Sequence, residues 1–143
     1  MTRSVIAGIG SYVPPRVVTN DDLAKLMTTS DEWIRTRSGI EERRFADEGV
    51  YCSDLALQAT RNALTDAGLE PEDLDFIIFA TLSPDHHFPG TGCFLQAKLG
   101  VPGIGCLDIR NQCTGFLYGL ALGDALIRAG TYRRVLEPGT LIA

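Results

Sequence analysis

From Cys113 to Gly130 the chain reads C-T-G-F-L-Y-G-L-A-L-G-D-A-L-I-R-A-G, with its first charge at Asp124. The spacing predicts a helix over Cys113 to Ala129, and a helix that is apolar all round must be covered on every side. Gly115, Gly119 and Gly123 recur at i, i+4 and i+8 and leave one stripe of bare backbone, fit for close approach by another element. Each glycine costs such a helix about 1 kcal/mol relative to alanine, so the stripe implies a packing need. If about four or five of the large residues lost their cover, at ~1.5–3 kcal/mol each, the loss would be on the order of 10 kcal/mol. That matches the stability of a whole domain. A chain of 143 residues supplies too few layers for this helix, and a partner is expected.

The rest of the chain alternates between strand and helix character. Ser4 to Val13 reads as a strand ended by Pro14-Pro15. Asn20 or Asp21 can cap a short helix over Asp22 to Met27, and Ser30-Asp31-Glu32 opens another through Trp33 and Ile34. Small and apolar residues at 52, 55, 56, 59, 63 and 67 follow the helical period, and Gly68 stands where a left-handed cap belongs. Phe76 to Ala80 is a continuous apolar run, hence a strand buried on both faces, as in a parallel sheet. Thr91 to Leu99 reads as helix, Gly105 to Ile109 as strand, and Arg134 to Leu136 begins a further strand. The alternation argues for an α/β architecture, a sheet layered with helices. No repeat, low-complexity tract or linker interrupts it, so residues 1–143 form one domain.

Charge and composition exclude several roles. Thirteen basic against eighteen acidic side chains give −5, with no dominant block of Lys or Arg, so nucleic acid is not an expected partner. The longest stretch without a charged residue, Asn111 to Gly123, spans thirteen residues, too few to cross a bilayer as a helix. The opening MTRSVIAGIGSY carries no cleavage-site pattern, and a cytoplasmic chain with reduced thiols is expected. Cys52, Cys93, Cys106 and Cys113 lack the paired spacing of a zinc or redox site, and no metal is expected.

Cys113 differs from the other three by its place, after a strand and the polar turn Arg110-Asn111-Gln112 and before the apolar helix. A thiol at a helix N-terminus feels the positive end of the dipole, which favours the thiolate. The N–H groups there can bond an oxyanion, as thioester chemistry requires. From the residues alone, nucleophile and inert core thiol remain equal readings. Likewise Trp33 can be a core or interface anchor, and Arg35, Arg37, Arg43 and Arg44 a solvated basic face. His86 and His87 read as loop residues rather than bases, and Phe88 before Pro89 as packing.

The segment S-D-E-W-I-R-T-R-S-G-I-E-E-R-R, Ser30 to Arg44, resembles a motif near the start of β-ketoacyl-acyl-carrier-protein synthase III. G-I-G-S-Y-V-P from Gly8, T-N-D-D-L from Thr19, H-F-P from His87, Q-A-K-L-G from Gln96 and C-T-G-F from Cys113 are similar to the same family, in the same order. The resemblance implies the N-terminal half of a thiolase-like layered αβαβα fold, with a mixed sheet and a central buried helix after Cys113. It implies acylation of Cys113 by an acyl-CoA, with the residue's own backbone N–H in the oxyanion site, then decarboxylative condensation with malonyl-acyl carrier protein in fatty-acid or related biosynthesis. Coenzyme A thioester is then a substrate, and no cofactor is expected. Trp33 and Arg37 match positions that hold the coenzyme A nucleotide, and Thr29 a neighbouring contact. Phe88 matches a residue that crosses a dimer to shape the partner's acyl pocket, so a homodimer, or a complementing C-terminal half, is expected.

The chain also departs from the family. The catalytic His and Asn belong to a second half, and neither motif is present here. Where the family continues with a strand of the type V-L-V-V-G, this chain reads Val135-Leu-Glu-Pro-Gly-Thr-Leu-Ile-Ala143. Glu137-Pro138 in a central strand denies a ladder donor and buries a charge. This end reads as a truncation or an altered frame. The alternative from another class is a non-catalytic acyl-CoA-binding or interaction module derived from the fold.

Overall fold

The structure, a computed structural model, describes residues 3–140. They fall into two compact units, Val13–Val50 and the residues up to Tyr12 together with those from Tyr51 on.

In the smaller unit, strands β1 (Arg16–Thr19) and β2 (Glu42–Phe45) pair antiparallel, Arg16 opposite Phe45 and Thr19 opposite Glu42. Between them lie helices α1 (Asn20–Ala24) and α2 (Asp31–Ser38). The cap of α1 is Thr19, one residue before the expected position. Its hydroxyl accepts from the Asp22 N–H at 3.2 Å while the Asp22 carboxylate accepts from the Thr19 N–H at 3.1 Å. Asn20 cannot cap because its side chain is committed elsewhere. It is buried, donates to the Asp31 carboxylate (2.7 Å) and the Ile40 carbonyl (2.8 Å), and accepts from Arg43 (2.7 Å). One amide thus joins α1, α2 and β2. Ser30 caps α2 as expected, accepting from the Trp33 N–H at 3.1 Å.

The larger unit contains α3 (Cys52–Ala67), β3 (Phe76–Thr81), α4 (Thr91–Leu99), β4 (Gly105–Ile109), α5 (Gly115–Arg128), β5 (Val135–Leu136) and β6 (Gly139–Thr140). Gly68 ends α3 at φ 65°, the left-handed cap the sequence predicts. Strand β3 is central, with β4 on one side and both β5 and β6 on the other, all parallel. Among the described residues, antiparallel pairing is confined to β1 and β2.

The side-chain parity of β3 makes the layers. Ile77 and Phe79 point to one face, where Cys52, Ala56 and Leu64 of α3 and Leu95 of α4 complete the core. Ile78 and Ala80 point to the other, against the glycine stripe of α5: a Cβ on Gly115 would lie 3.4 Å from Ala80, and one on Gly123 3.8 Å from Ile78. The stripe is therefore buried, as its spacing implied. The large residues of α5 are not. Phe116, Leu117, Tyr118 and Leu120 are exposed, Leu117 by 63%, so among the described residues nothing supplies the helix's outer cover.

Two expectations need correction. No strand forms over Ser4 to Val13. Instead the segment up to Tyr12 is strapped along α3: the Ile9 N–H donates to Asp66 (2.9 Å), and Asn62 donates to the Ser11 carbonyl (2.8 Å). Gly8 and Gly10 lie flat on the helix, where a Cβ at Gly8 would stand 2.5 Å from the Ala63 carbonyl oxygen. The apolar residues of the strap face outward, Val5 by 82%. The last strand, expected from Arg134, is split. Glu137-Pro138 divides it into β5 and β6, and the Ala80 N–H bridges the gap by donating to the Pro138 carbonyl at 3.0 Å.

Candidate active site

Strand β4 delivers the chain to the carboxyl end of the parallel sheet, the side on which α/β proteins place their ligands. There Arg110 and Asn111 lead into a single 3₁₀ turn, Gln112–Thr114, and α5 begins at Gly115. Thr114 fixes the turn: its hydroxyl donates to the Asn111 carbonyl (3.0 Å) and accepts from the Asn111 amide (2.8 Å). Gln112 adopts φ 46°, a left-handed conformation disfavoured for a side chain with a Cβ. Backbone strain of this kind recurs in functional turns.

Cys113 follows Gln112 and is exposed. It lines a cavity of about 330 Å³ together with Ala80, Thr81, Leu82, Gln112, Phe116 and Gly139. Residues from the end of β3, the 3₁₀ turn, α5 and β6 thus converge on one sulfur. Thr114, the residue preceding α5, makes no side-chain cap, and the Gly115 N–H at the start of the helix donates to the Gln112 carbonyl.

The other thiols are unsuited. Cys52 is buried, and its thiol lies 3.4 Å from the Thr81 hydroxyl. Cys106 lies 3.4 Å from the Gly92 carbonyl, and burial pushes its thiol up to about 11. Cys93 is exposed but does not line the cavity. Neither histidine lines it. His86 packs between Tyr51 (6.2 Å) and Phe94 (5.0 Å), while His87 Nδ1 is 3.5 Å from Arg110.

The nucleotide-binding candidates lie in the smaller unit. The Arg37 guanidinium sits 4.5 Å over the Trp33 ring, a cation–π pair. Trp33 is 56% exposed, so it anchors no core among the described residues, and an interface anchor remains open. Arg35 is engaged by Glu41 (2.8 Å), Arg44 by Glu42 (3.5 Å) and Arg43 by Asn20. The four arginines are therefore not an undifferentiated face: Arg37 is the one stacked on the indole. Thr29 is half-buried just before the α2 cap. Phe88, on the loop after β3, is 91% exposed, so it packs against little of the described chain.

One residue was missed. Asp108 in β4 turns its carboxylate onto the start of α4 and accepts from the Thr91 N–H (2.6 Å) and the Gly92 N–H (3.0 Å). Gly90 is required there, because a Cβ would lie 2.5 Å from that carboxyl carbon. The signal was a lone carboxylate in the half-buried strand G-C-L-D-I. Asp108→Ala leaves two helix donors unpaired, and urea denaturation is expected to show a loss of about 1–2 kcal/mol.

Residues 107–139 match the family described as 3-oxoacyl-[acyl-carrier-protein] synthase III. The β-ketoacyl-[acyl-carrier-protein] synthase III of Caldanaerobacter subterraneus subsp. tengcongensis is 52% identical over 134 residues, 94% of this chain and 40% of that protein. Synthase III 1 of Bacillus cereus is 48% identical over 135 residues, 94% of this chain and 44% of its own. The crystal structure of 3-oxoacyl-[acyl-carrier-protein] synthase III from Aquifex aeolicus superposes with a TM-score of 0.87 at 46% identity, covering 95% of this chain and 44% of that one. The chain thus spans less than half the length of these relatives. In sequence and fold the chain is similar to the N-terminal part of β-ketoacyl-acyl-carrier-protein synthase III, a thiolase-like fold.

Proposed function

We propose that the chain carries the acyl-accepting part of a β-ketoacyl-acyl-carrier-protein synthase III. The observation that carries this reading is Cys113, exposed on a strained turn at the carboxyl end of a parallel sheet and facing a cavity. The Cys113 thiolate attacks the thioester carbonyl of an acyl-CoA. The resulting oxyanion is held by backbone N–H groups, including that of Cys113. Collapse expels the coenzyme A thiolate, which takes up a proton, and leaves the acyl group on sulfur. The Trp33–Arg37 pair offers the nucleotide an indole face and a fixed cation, and Thr29 a neighbouring contact. Condensation with malonyl-acyl carrier protein then needs the His and Asn of a C-terminal half. Residues 1–143 are on this reading the N-terminal half of the thiolase-like domain, and the exposed Phe116, Leu117 and Tyr118 of α5 are the seat of the other half. Phe88 reaches a second copy across a homodimer, in the cytoplasm. Among the described residues no helix is long and apolar enough to cross a membrane.

The test is intact-protein mass spectrometry after incubation with acetyl-CoA and longer acyl-CoAs. One acyl adduct, mapping to Cys113, is expected. No adduct on folded protein would favour a non-catalytic acyl-CoA-binding or interaction module instead. With malonyl thioester and this chain alone, no CO₂ release above the uncatalysed background is expected in a carbonate-trapping assay, because the decarboxylating pair is not among these residues.

A further inference from the structure

Glu137 is the one charged residue between β5 and β6. Its side chain folds onto the glycine stripe of α5, where a Cβ on Gly119 would fall on the carboxylate. Both carboxylate oxygens are buried, and neither has a hydrogen-bond partner among the described residues. Loss of solvent pushes the group up to about 7, from an ordinary value of 4.5. The Leu120 backbone N–H acts in the opposite direction, to a smaller extent than burial, without reaching hydrogen-bond geometry. No side-chain charge offsets the burial. Strand β3 has no titratable side chain. Those of α5 are Tyr118, Asp124 and Arg128, and those of α3 are Cys52, Asp54, Arg61 and Asp66. None of these contributes to the shift. Asp124 is instead bonded to Ser4 (2.5 Å) and Arg128 (3.4 Å), and Asp54 to Lys98 (2.5 Å).

Two residues further on, Gly139 walls the Cys113 cavity, and a Cβ on it would stand 3.0 Å from the Phe116 ring. The same short run therefore buries an unpaired acid at one end and closes the cavity at the other. The geometry points to Glu137 as a pH-dependent latch: protonated, it seats residues 137–140 in the Gly119 groove and keeps the Cys113 cavity closed on that side; ionised, it leaves the groove and opens the Gly139 wall.

The sign follows from linkage. An acid held above its unfolded value binds a proton more tightly in the seated state, so seating is fully favoured below about 4.5, weakens as pH rises, and reaches its minimum above about 7. Amide hydrogen exchange at Ala80, whose N–H donates to the Pro138 carbonyl, reads the seating directly. Between pH 5 and 8.5 the protection factor of Ala80, taken relative to Glu137→Gln, is expected to fall tenfold or more. Across the same range the rate of Cys113 alkylation by iodoacetamide should rise in the wild type relative to Glu137→Gln, a ratio that cancels the thiol's own titration. A pH-independent ratio in either measurement overturns the latch. So does a Glu137 carboxyl titrating near 4.5 by carbon-13 NMR in the wild type, a reading that needs no variant to fold.

Discussion

Cys113→Ser is expected to take up no acyl group from acetyl-CoA in the time the wild type takes up one. The change replaces one atom in an exposed position, so the fold should persist. A serine hydroxyl without an adjacent base is not ionised near neutral pH, whereas a thiol is partly ionised and intrinsically nucleophilic. The other cysteines provide the contrast. With its thiol pushed up to about 11, Cys106 is ionised at pH 7 in about one molecule in ten thousand. Cys52 is sealed in the core, and Cys93 is outside the cavity. Substitution of any of these three is expected to leave the adduct in place. Acylation of Cys113→Ser at the wild-type rate would move the nucleophile elsewhere and sink the assignment.

Phe79→Ala is expected to cost about 3–5 kcal/mol, read as a lower urea midpoint, because a fully buried aromatic leaves a cavity that β3 cannot close. Against a typical domain stability of about 5–15 kcal/mol, this could unfold much of the larger unit. Leu117→Ala, on the open side of α5, is the control and should change stability by no more than about 0.5 kcal/mol. Equal losses at the two positions would mean that Leu117 is covered in solution by a second copy of the chain.

What the sequence disclosed depended on whether the cause of a structure was local. The run Ile77-Ile78-Phe79 announced a strand without a wet face, and the spacing of Gly115, Gly119 and Gly123 announced a close approach. Both are periodicities, visible within one element. The segment Ser4 to Val13 misled because glycines in an apolar run look neutral to a strand, whereas Gly8 and Gly10 serve contact with α3, some fifty residues away. The ribbon of β1 and β2 was hidden in the charged sequence E-R-R-F, which reads as a solvated stretch. At the site, the turn around Cys113 was legible, being contiguous. The cavity was not, since Leu82 and Gly139 reach it from other parts of the chain. Nor was the left-handed Gln112, a conformation no residue type there betrays.

The central position of β3 also sets an order of events during synthesis. Its neighbours β4 and β5 are both encoded later, and Leu136, a member of the same core, follows Phe79 by nearly sixty residues. At about 5–20 residues per second, the ribosome leaves the most apolar segment of the chain without its flanking strands for roughly 3–12 s. Over that interval Phe76 to Ala80 is a nascent sequence suited to a chaperone that holds extended apolar peptides.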